Sequence, residues 1–268
     1  MSGLEGELTT VTLCWRVERR DGVAIGLTAH DRDLEIGGLV YRAAPGMTPS
    51  AVSRSAALDS DSMDVAGALS GAAISEADLL AGRWDGARVA LFAADWAEPA
   101  MLAPLGEGVI GAVETRGGML TAELRGAAAR LERPVVEETS PECRAELGDA
   151  RCRVAMAGRR RVAVVTACDG VVLTLDGAEP GANAYGGGRL RWFGGANSGL
   201  EDAVAASDGT TVTLRRAPRF DPAGARVELI EGCDKSLATC AGRFGNALNF
   251  RGEPYLPGID LLTRYPGE

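Results

Sequence analysis

Apolar and polar residues alternate along the first half of the chain with the two-residue period of β-strands. From Val11 to Val17 the side chains change face at each position, and Asp21-Gly22 then supplies a hairpin turn. Gly37-Gly38 marks a second turn. The pattern predicts short strands at Val11–Val17, Val23–Leu27, Leu39–Tyr41, Arg88–Phe92, Gly108–Val113 and Met119–Leu124.

Two short helices interrupt this pattern. Ser75 is placed to cap the first, with Asp78 three residues later and Gly82 where the helix should stop. The second covers about Gly126–Arg133 and ends before Pro134, which cannot continue a helix.

The second half of the chain repeats the strand pattern. Asp169-Gly170 and Asp208-Gly209 are turn dipeptides between apolar runs. The polar stretch Glu137–Pro141 indicates a domain boundary near residue 135, so the sequence predicts a mainly β protein of two domains, 1–135 and 136–268, with a β-rich insertion at about 153–230. The strands predicted in this insertion are Val162–Cys168, Val171–Leu175, Arg189–Phe193, one near Val204, Thr211–Leu214 and Arg226–Ile230.

Charge and hydropathy exclude two classes of function. The net charge is −9 and the sequence pI is about 4.9, so no basic field is available to bind nucleic acid. The apolar runs are short and interrupted, and the start of the chain has no signal-peptide pattern. We therefore expect no transmembrane segment and synthesis in the cytoplasm.

Four cysteines form two spaced pairs that could hold a metal. Eight residues separate Cys143 from Cys152, and six separate Cys233 from Cys240, in charged segments with loop character. Four thiolates suit an iron–sulfur cluster or a tetrahedral zinc, and gaps of this length favour iron, since zinc pairs are usually two to four residues apart. Reduced thiols without metal remain an alternative. A cluster would close the loop between the pairs and stabilise the fold by about 4 kcal/mol.

Electron transfer is less well supported than a structural role. The compact cysteine run of ferredoxins is missing, and no dinucleotide-binding glycine motif follows a strand. The glycine-rich segments Gly186–Gly188 and Gly194-Gly195 are interpreted as flexible loops between strands, because neither opens a helix that could bind phosphate.

The other reactive side chains do not form a catalytic set. Cys14 and Cys168 lie within or at the end of predicted strands, where cysteine packs as a small hydrophobe. His30, the one histidine, stands in His30–Asp33, which we interpret as a loop held by hydrogen bonds to backbone. Arg159–Arg161 is interpreted as a docking contact or solvated face. The sequence therefore predicts that the protein is not an enzyme.

The C-terminal cysteines belong to a longer signature. It comprises Gly232–Lys235, Cys240, Arg243–Gly252 and Pro257-Gly258. The N-terminal half adds Cys14–Arg16, Asp21-Gly22, Leu27-Thr28, His30–Leu34, Ile74–Leu79 and Gly82-Arg83. Over nearly its whole length the chain resembles the tail hub family of alphaproteobacterial phages and gene transfer agents, which is related to the lambda-like minor tail-tip protein L. It departs at Glu253, where an aromatic residue is usual.

This resemblance implies a structural protein of the tail tip or baseplate with barrel- or sandwich-like β domains. Domain 1–135 would form a ring that closes the distal tail tube. Domain 136–268 would carry a [4Fe–4S] cluster on Cys143, Cys152, Cys233 and Cys240. The implied partners are further copies of the chain in a trimer, the distal tail protein ring, and baseplate, tail-fibre and cell-wall peptidase components. A soluble iron–sulfur redox protein and a zinc-stabilised adaptor are the alternative functions.

Overall fold

A computed structural model describes residues 9–43, 48–49, 62–66, 74–116, 119–126 and 136–256. The chain divides into two compact units, Met1–Val135 and Val136–Glu268. The predicted mainly β fold is confirmed, since both units are built on sheets and the described residues form two short α-helices and one 3-10 helix. None of the described helices has the length and apolar character needed to cross a membrane.

The first unit is one nine-stranded sheet. Its strands are β1 (Val11–Glu18), β2 (Ala24–Thr28), β3 (Leu34–Ile36), β4 (Leu39–Ala43), β5 (Thr48–Pro49), β6 (Ser62–Ala66), β7 (Arg88–Asp95), β8 (Ala100–Arg116) and β9 (Met119–Arg125). Their order is β3-β4-β2-β1-β7-β8-β9-β6-β5. The β2–β4 pair is parallel and the other pairs are antiparallel. The strand pattern did not predict β3, β5 or β6.

Both faces of this sheet carry apolar clusters, because neighbouring residues of a strand point to opposite faces. Trp15 of β1 packs in a cluster with Val89 and Leu91 of β7. Cys14 points to the other face, where it is fully buried with Tyr41 and other apolar residues. The expectation that Cys14 packs in the core is therefore confirmed.

The first predicted helix is confirmed as α1 (Glu76–Leu80). The Ser75 side chain accepts a hydrogen bond from the Asp78 backbone N–H at 3.1 Å, and Gly82 follows with a φ of +79°. The second predicted helix, about 126–133, lies outside the described residues except for Gly126, which is not helical.

The second unit contains a closed six-stranded antiparallel barrel. Its strands are β10 (Arg160–Asp169), β11 (Val172–Leu175), β12 (Arg189–Trp192), β13 (Glu201–Asp208), β14 (Thr211–Leu214) and β15 (Arg226–Ile230). The order β10-β11-β14-β13-β12-β15 closes when β15 pairs with β10. The predicted strands of this region are confirmed. Alternate residues fill the interior, including Val165, Leu173, Val204, Val212 and Val227, all 1% exposed or less.

The barrel consists of two copies of one three-stranded motif, which the sequence pattern did not reveal to us. The hairpin Val165–Leu175 recurs as Val204–Leu214, with Val, Ala, Asp, Gly, Thr and Leu at equivalent positions. Each hairpin has a register shift at the same place, Val165/Ala167 in one and Val204/Ala206 in the other. Exchanging the two copies leaves the order of strands in the closed barrel unchanged.

Hydrogen bonds outside the regular ladders obey the same symmetry. The Leu175 N–H donates to the Thr210 carbonyl at 2.9 Å, and the equivalent Leu214 N–H donates to the Val171 carbonyl at 2.8 Å. The copies differ after their third strand: β12 leads into Gly194-Gly195, whereas β15 leads into Gly232 and Cys233. The second cysteine pair therefore enters the structure at one end of the duplicated barrel.

Candidate functional site

The backbone segments that carry Cys143 and Cys233 are joined to each other and to the segment of Arg251. The Cys143 N–H donates to the Lys235 carbonyl at 2.9 Å, which links the first cysteine to the segment that carries Cys233. The next residue, Arg144, donates its N–H to the Arg251 carbonyl at 3.0 Å. The Lys235 ammonium adds a hydrogen bond to the Ala145 carbonyl at 2.6 Å. Residues about 90 positions apart are thus held together by hydrogen bonds to the main chain.

Cys152 is positioned by a carboxylate in its own loop. Asp149 Oδ1 accepts the N–H groups of Cys152 at 2.6 Å and Arg151 at 2.8 Å, and Oδ2 accepts that of Glu146 at 3.0 Å. These hydrogen bonds, that of Cys152 foremost, lower the pKa of Asp149, so the carboxylate is charged at neutral pH. The ionised side chain closes the loop and turns Cys152 inward, where it is 9% exposed.

Cys240 lies on a helix, whereas the sequence indicated a loop. The helix, α2, spans Leu237–Gly242, and the Ser236 side chain caps it by accepting from the Thr239 N–H at 3.1 Å. Ser at this position was the available signal for a helix start. The prediction of loop character is therefore wrong for Cys240, because a capping residue and tertiary packing of the buried Cys240 side chain suffice for a helix of this length in a folded domain.

Each of the four sulfur atoms has a hydrogen-bond partner. Cys143 Sγ accepts from the Arg251 N–H at 3.3 Å, and Cys233 Sγ accepts from the Lys235 N–H at 3.4 Å. Asn246 serves the other two: its Nδ2 lies 3.7 Å from Cys152 Sγ, and its carbonyl accepts from Cys240 Sγ at 3.4 Å. N–H donors directed at sulfur favour the thiolate form that ligates metals.

The four thiols influence one another electrostatically. Burial raises the pKa of Cys240, and the negative charges of Cys143, Cys233 and Cys152 raise it further. Burial also raises the pKa of Cys233. In the described part of the chain, no group of three or more His, Cys, Asp or Glu side chains is arranged so that it could hold a single metal ion. The hydrogen bonds described above and the mutual electrostatic effects of the thiols nevertheless place the four predicted residues in one neighbourhood. Thiolates are the usual ligands of iron–sulfur clusters, so the donor chemistry of the four side chains fits such a group.

Glu253, the position that departs from the family pattern, is an ion-pair partner. Its carboxylate binds Arg144 in two contacts of 2.6 and 2.8 Å and also accepts the Ser140 N–H at 2.9 Å. The Arg144 hydrogen bond is the main reason why the pKa of Glu253 falls to about 2. A charged pair therefore closes the last described loop onto the segment that leads to Cys143.

The glycine-rich segments allow the barrel and the cysteine segment to meet at backbone distance. A Cβ on Gly232 would lie 2.0 Å from the Gly188 nitrogen, and a Cβ on Gly188 would lie 2.2 Å from the Ile230 carbonyl oxygen. Gly186–Gly188 does connect two strands, as the sequence indicated. Gly187 and Gly188 are required there, because a side chain at either position would not fit between the two backbones.

A buried charge network adjoins this contact. Glu231 is 8% exposed, and its Oε2 accepts from Arg159 and Arg243, each at 2.7 Å. Both guanidinium groups also stack on the Phe244 ring, at 5.0 and 4.8 Å from its centroid. Arg159 precedes β10, Glu231 follows β15 and Arg243 follows α2, so the network joins the ends of these three elements.

Of the three arginines in the run, Arg159 is used within the fold, whereas Arg160 and Arg161 are exposed. Arg159 pairs with Glu231, and Arg160 lies 3.8 Å from a carboxylate oxygen of Glu228. The Arg161 side chain hydrogen-bonds the Ala178 carbonyl. The interpretation of the run as a docking contact or solvated face is wrong for Arg159, because its guanidinium group forms an ion pair with the buried Glu231.

The remaining candidates from the sequence are Cys168 and the loop His30–Asp33. Cys168 is exposed at the end of β10, so it does not pack in a core. His30 Nδ1 accepts the Arg32 N–H at 3.1 Å, and its ring stacks on Trp96 at 5.2 Å between centroids. Asp33 accepts the Ala43 N–H at 2.8 Å. The prediction that this loop is held by hydrogen bonds to backbone is confirmed.

Comparisons with known proteins agree on the class of the chain. Residues 1–155 match the family model described as baseplate hub protein, N-terminal attachment domain, and residues 183–260 match the phage conserved hypothetical protein BR0599. A chain from the virion of a native gene transfer agent particle is 40% identical, with a TM-score of 0.84, and the match covers 100% of this chain and 95% of that one. The comparison with curated proteins gave no match.

The hub model alone covers more than half of the chain, and the similarity to the virion protein extends over both units. The fold is shared with that protein over the whole length, at an identity where common descent is expected. This chain therefore belongs to the baseplate hub protein family and is a structural protein of a phage-type tail.

Proposed function

We propose that this protein is the hub subunit that closes the distal end of a tail tube and anchors the components of the tip. The observation that carries the proposal is the full-length similarity to a protein of a gene transfer agent virion. The first unit would form the ring, because its sheet is open and ends in β3 and β5. Open edges offer unpaired backbone groups to a neighbouring subunit, and identical subunits with such contacts close into rings.

We propose a trimer as the ring, with the distal tail protein on one side and baseplate, fibre and peptidase components on the other. The net charge of −9 suits a tube end through which DNA passes without binding. The chain would be made in the cytoplasm and then incorporated into the particle.

Deleting the gene in a particle-producing host tests this function. We expect particles whose tail tubes lack all components distal to the tube, with wild-type tips restored by the intact gene, as seen by electron microscopy. Complete tips in the deletion strain would refute the hub role. Mass photometry of the purified protein should give the mass of three 27.8 kDa chains.

We further propose that Cys143, Cys152, Cys233 and Cys240 hold a [4Fe–4S] cluster that stabilises the second unit. Support comes from the shared neighbourhood of the four thiols and from the N–H donors on three of the sulfur atoms. When bound, the cluster would supply iron–thiolate bonds between segments that are otherwise joined by hydrogen bonds and ion pairs. We propose a structural role for the cluster, because its ligands lie on segments that are far apart in the chain.

Iron and acid-labile sulfide analysis of protein purified without oxygen tests the cluster. We expect about four irons and four sulfides per chain, a loss of both in Cys143→Ala, Cys152→Ala, Cys233→Ala and Cys240→Ala, and full retention in Cys168→Ala. The last variant is the matched control, since Cys168 is exposed on the barrel. Zinc in place of iron would favour the adaptor alternative, and a metal-free parent protein would refute the cluster.

A further inference from the structure

Asn246 contacts two of the four cysteines, one through its side chain and one through its backbone. It lies between α2 and the 3-10 helix Ala247–Asn249. Its Nδ2 donates to the Cys152 carbonyl at 2.6 Å and lies 3.7 Å from the Cys152 sulfur. Its backbone binds Cys240 twice, with the N–H donating to the Cys240 carbonyl at 2.9 Å and the carbonyl accepting from Cys240 Sγ at 3.4 Å.

The orientation of the Asn246 amide is set by a second residue. Asn249 Nδ2 donates to Asn246 Oδ1 at 2.7 Å. Because the oxygen of the amide is held by this donor, the NH₂ group is directed at Cys152. The side chain therefore presents a fixed donor to a residue that lies 94 positions earlier in the chain.

Two other sulfur atoms receive their N–H donors from the backbone, Cys143 from Arg251 and Cys233 from Lys235. Substituting the side chain of Arg251 or Lys235 leaves these backbone N–H donors in place. Cys152 is the cysteine whose sulfur contact depends on a side chain, so one substitution can remove it without altering any thiol.

We propose that Asn246 is the positioning residue of the cysteine site: its amide donates toward the carbonyl and sulfur of Cys152, and its backbone N–H holds the main chain of Cys240. This inference rests on the cluster proposed above. Hydrogen bonds from neighbouring side chains orient the residues that bind a metal centre, and hydrogen bonds to sulfur raise the reduction potential of an iron–sulfur centre. Removing the amide should therefore change both the retention of iron and the potential.

Asn246→Asp and Asn246→Ala test this role in the full-length protein purified without oxygen. The aspartate has nearly the same shape but replaces the donor by a charged acceptor that faces Cys152. We expect iron to be lost to a chelator about 10-fold faster or more in both variants, and the potential of the iron retained by Asn246→Asp to become more negative. Leu248→Ala is the matched control, because Leu248 is 98% exposed on the same turn.

A measurement on the metal-free protein supplies an independent readout. The rate at which a thiol reagent modifies Cys152 should rise in both Asn246 variants and stay unchanged in Leu248→Ala, since Cys152 is 9% exposed in the parent protein. A parent that binds iron, with Asn246 variants that match it in iron retention, potential and thiol reactivity, would overturn this inference alone. A parent without iron would overturn the cluster and this inference together.

Discussion

Gly232→Ala is expected to unfold the second unit or to destabilise it by more than about 3 kcal/mol. The added Cβ would lie 2.0 Å from the Gly188 nitrogen, 2.1 Å from the Gly186 carbonyl oxygen and 2.4 Å from the Gly187 carbonyl carbon. All three are backbone atoms, so no side chain can rotate away. Either the segment after β15 separates from the barrel or the barrel distorts.

Hydrogen exchange with mass spectrometry can assign the effect to the second unit, because exchange is read peptide by peptide. We expect lost protection in β12 and β15 and unchanged protection in β1 and β7. Gly181→Ala is the matched control, since a Cβ at Gly181 would meet no atom within 4 Å. Equal protection in the two variants would show that the backbones do not approach as described.

Glu231→Ala should cost about 3 kcal/mol of unfolding free energy. The substitution removes the carboxylate that neutralises Arg159 and Arg243, both held at 2.7 Å, and leaves two guanidinium groups on one Phe244 ring. Partly buried charges that lose their partner destabilise the folded state, because water cannot fully replace that partner. Urea unfolding gives the free energy, with the transition of the second unit followed by hydrogen exchange of its own peptides.

Glu201→Ala controls for the loss of a glutamate with two arginine partners. Glu201 lies 3.3 Å from both Arg189 and Arg191, but its side chain is 39% exposed. An exposed pair contributes about 0.5 kcal/mol, so this variant should remain close to the parent protein. Similar unfolding midpoints for Glu201→Ala and Glu231→Ala would contradict the role assigned to the buried network.

Local sequence signals were sufficient where neighbouring residues decide the structure. The Asp-Gly dipeptides at Asp169 and Asp208 predicted hairpins that the barrel contains, with Gly170 and Gly209 at positive φ. The Ser75 cap predicted α1 in the same way. Those signals failed at β6, whose partner β9 lies far along the chain. A strand that is stabilised by a distant partner need not carry a strong local pattern.

The close packing that requires glycine in Gly186–Gly188 could not be inferred from the sequence alone. Gly186–Gly188 has the composition of a loop, and only the fold shows that it packs on Gly232 and Cys233. The same holds for Asn246, which belongs to the C-terminal signature but has no chemistry of its own as a ligand. Its contact with Cys152 depends on the barrel between them, which folds so that its two ends meet.

Turn chemistry, side-chain alternation and residue type are local properties. They were enough to predict the mainly β class and the strands of the barrel, and to reveal the four cysteines and the resemblance to tail hub proteins. Tertiary structure alone decided which segments meet: that Cys143 bonds to Lys235, that Glu231 joins two arginines, and that the barrel is a closed pair of repeated motifs. Such contacts join residues far apart in the chain, and their stability comes from burial and from backbone hydrogen bonds that form only when the whole unit has folded.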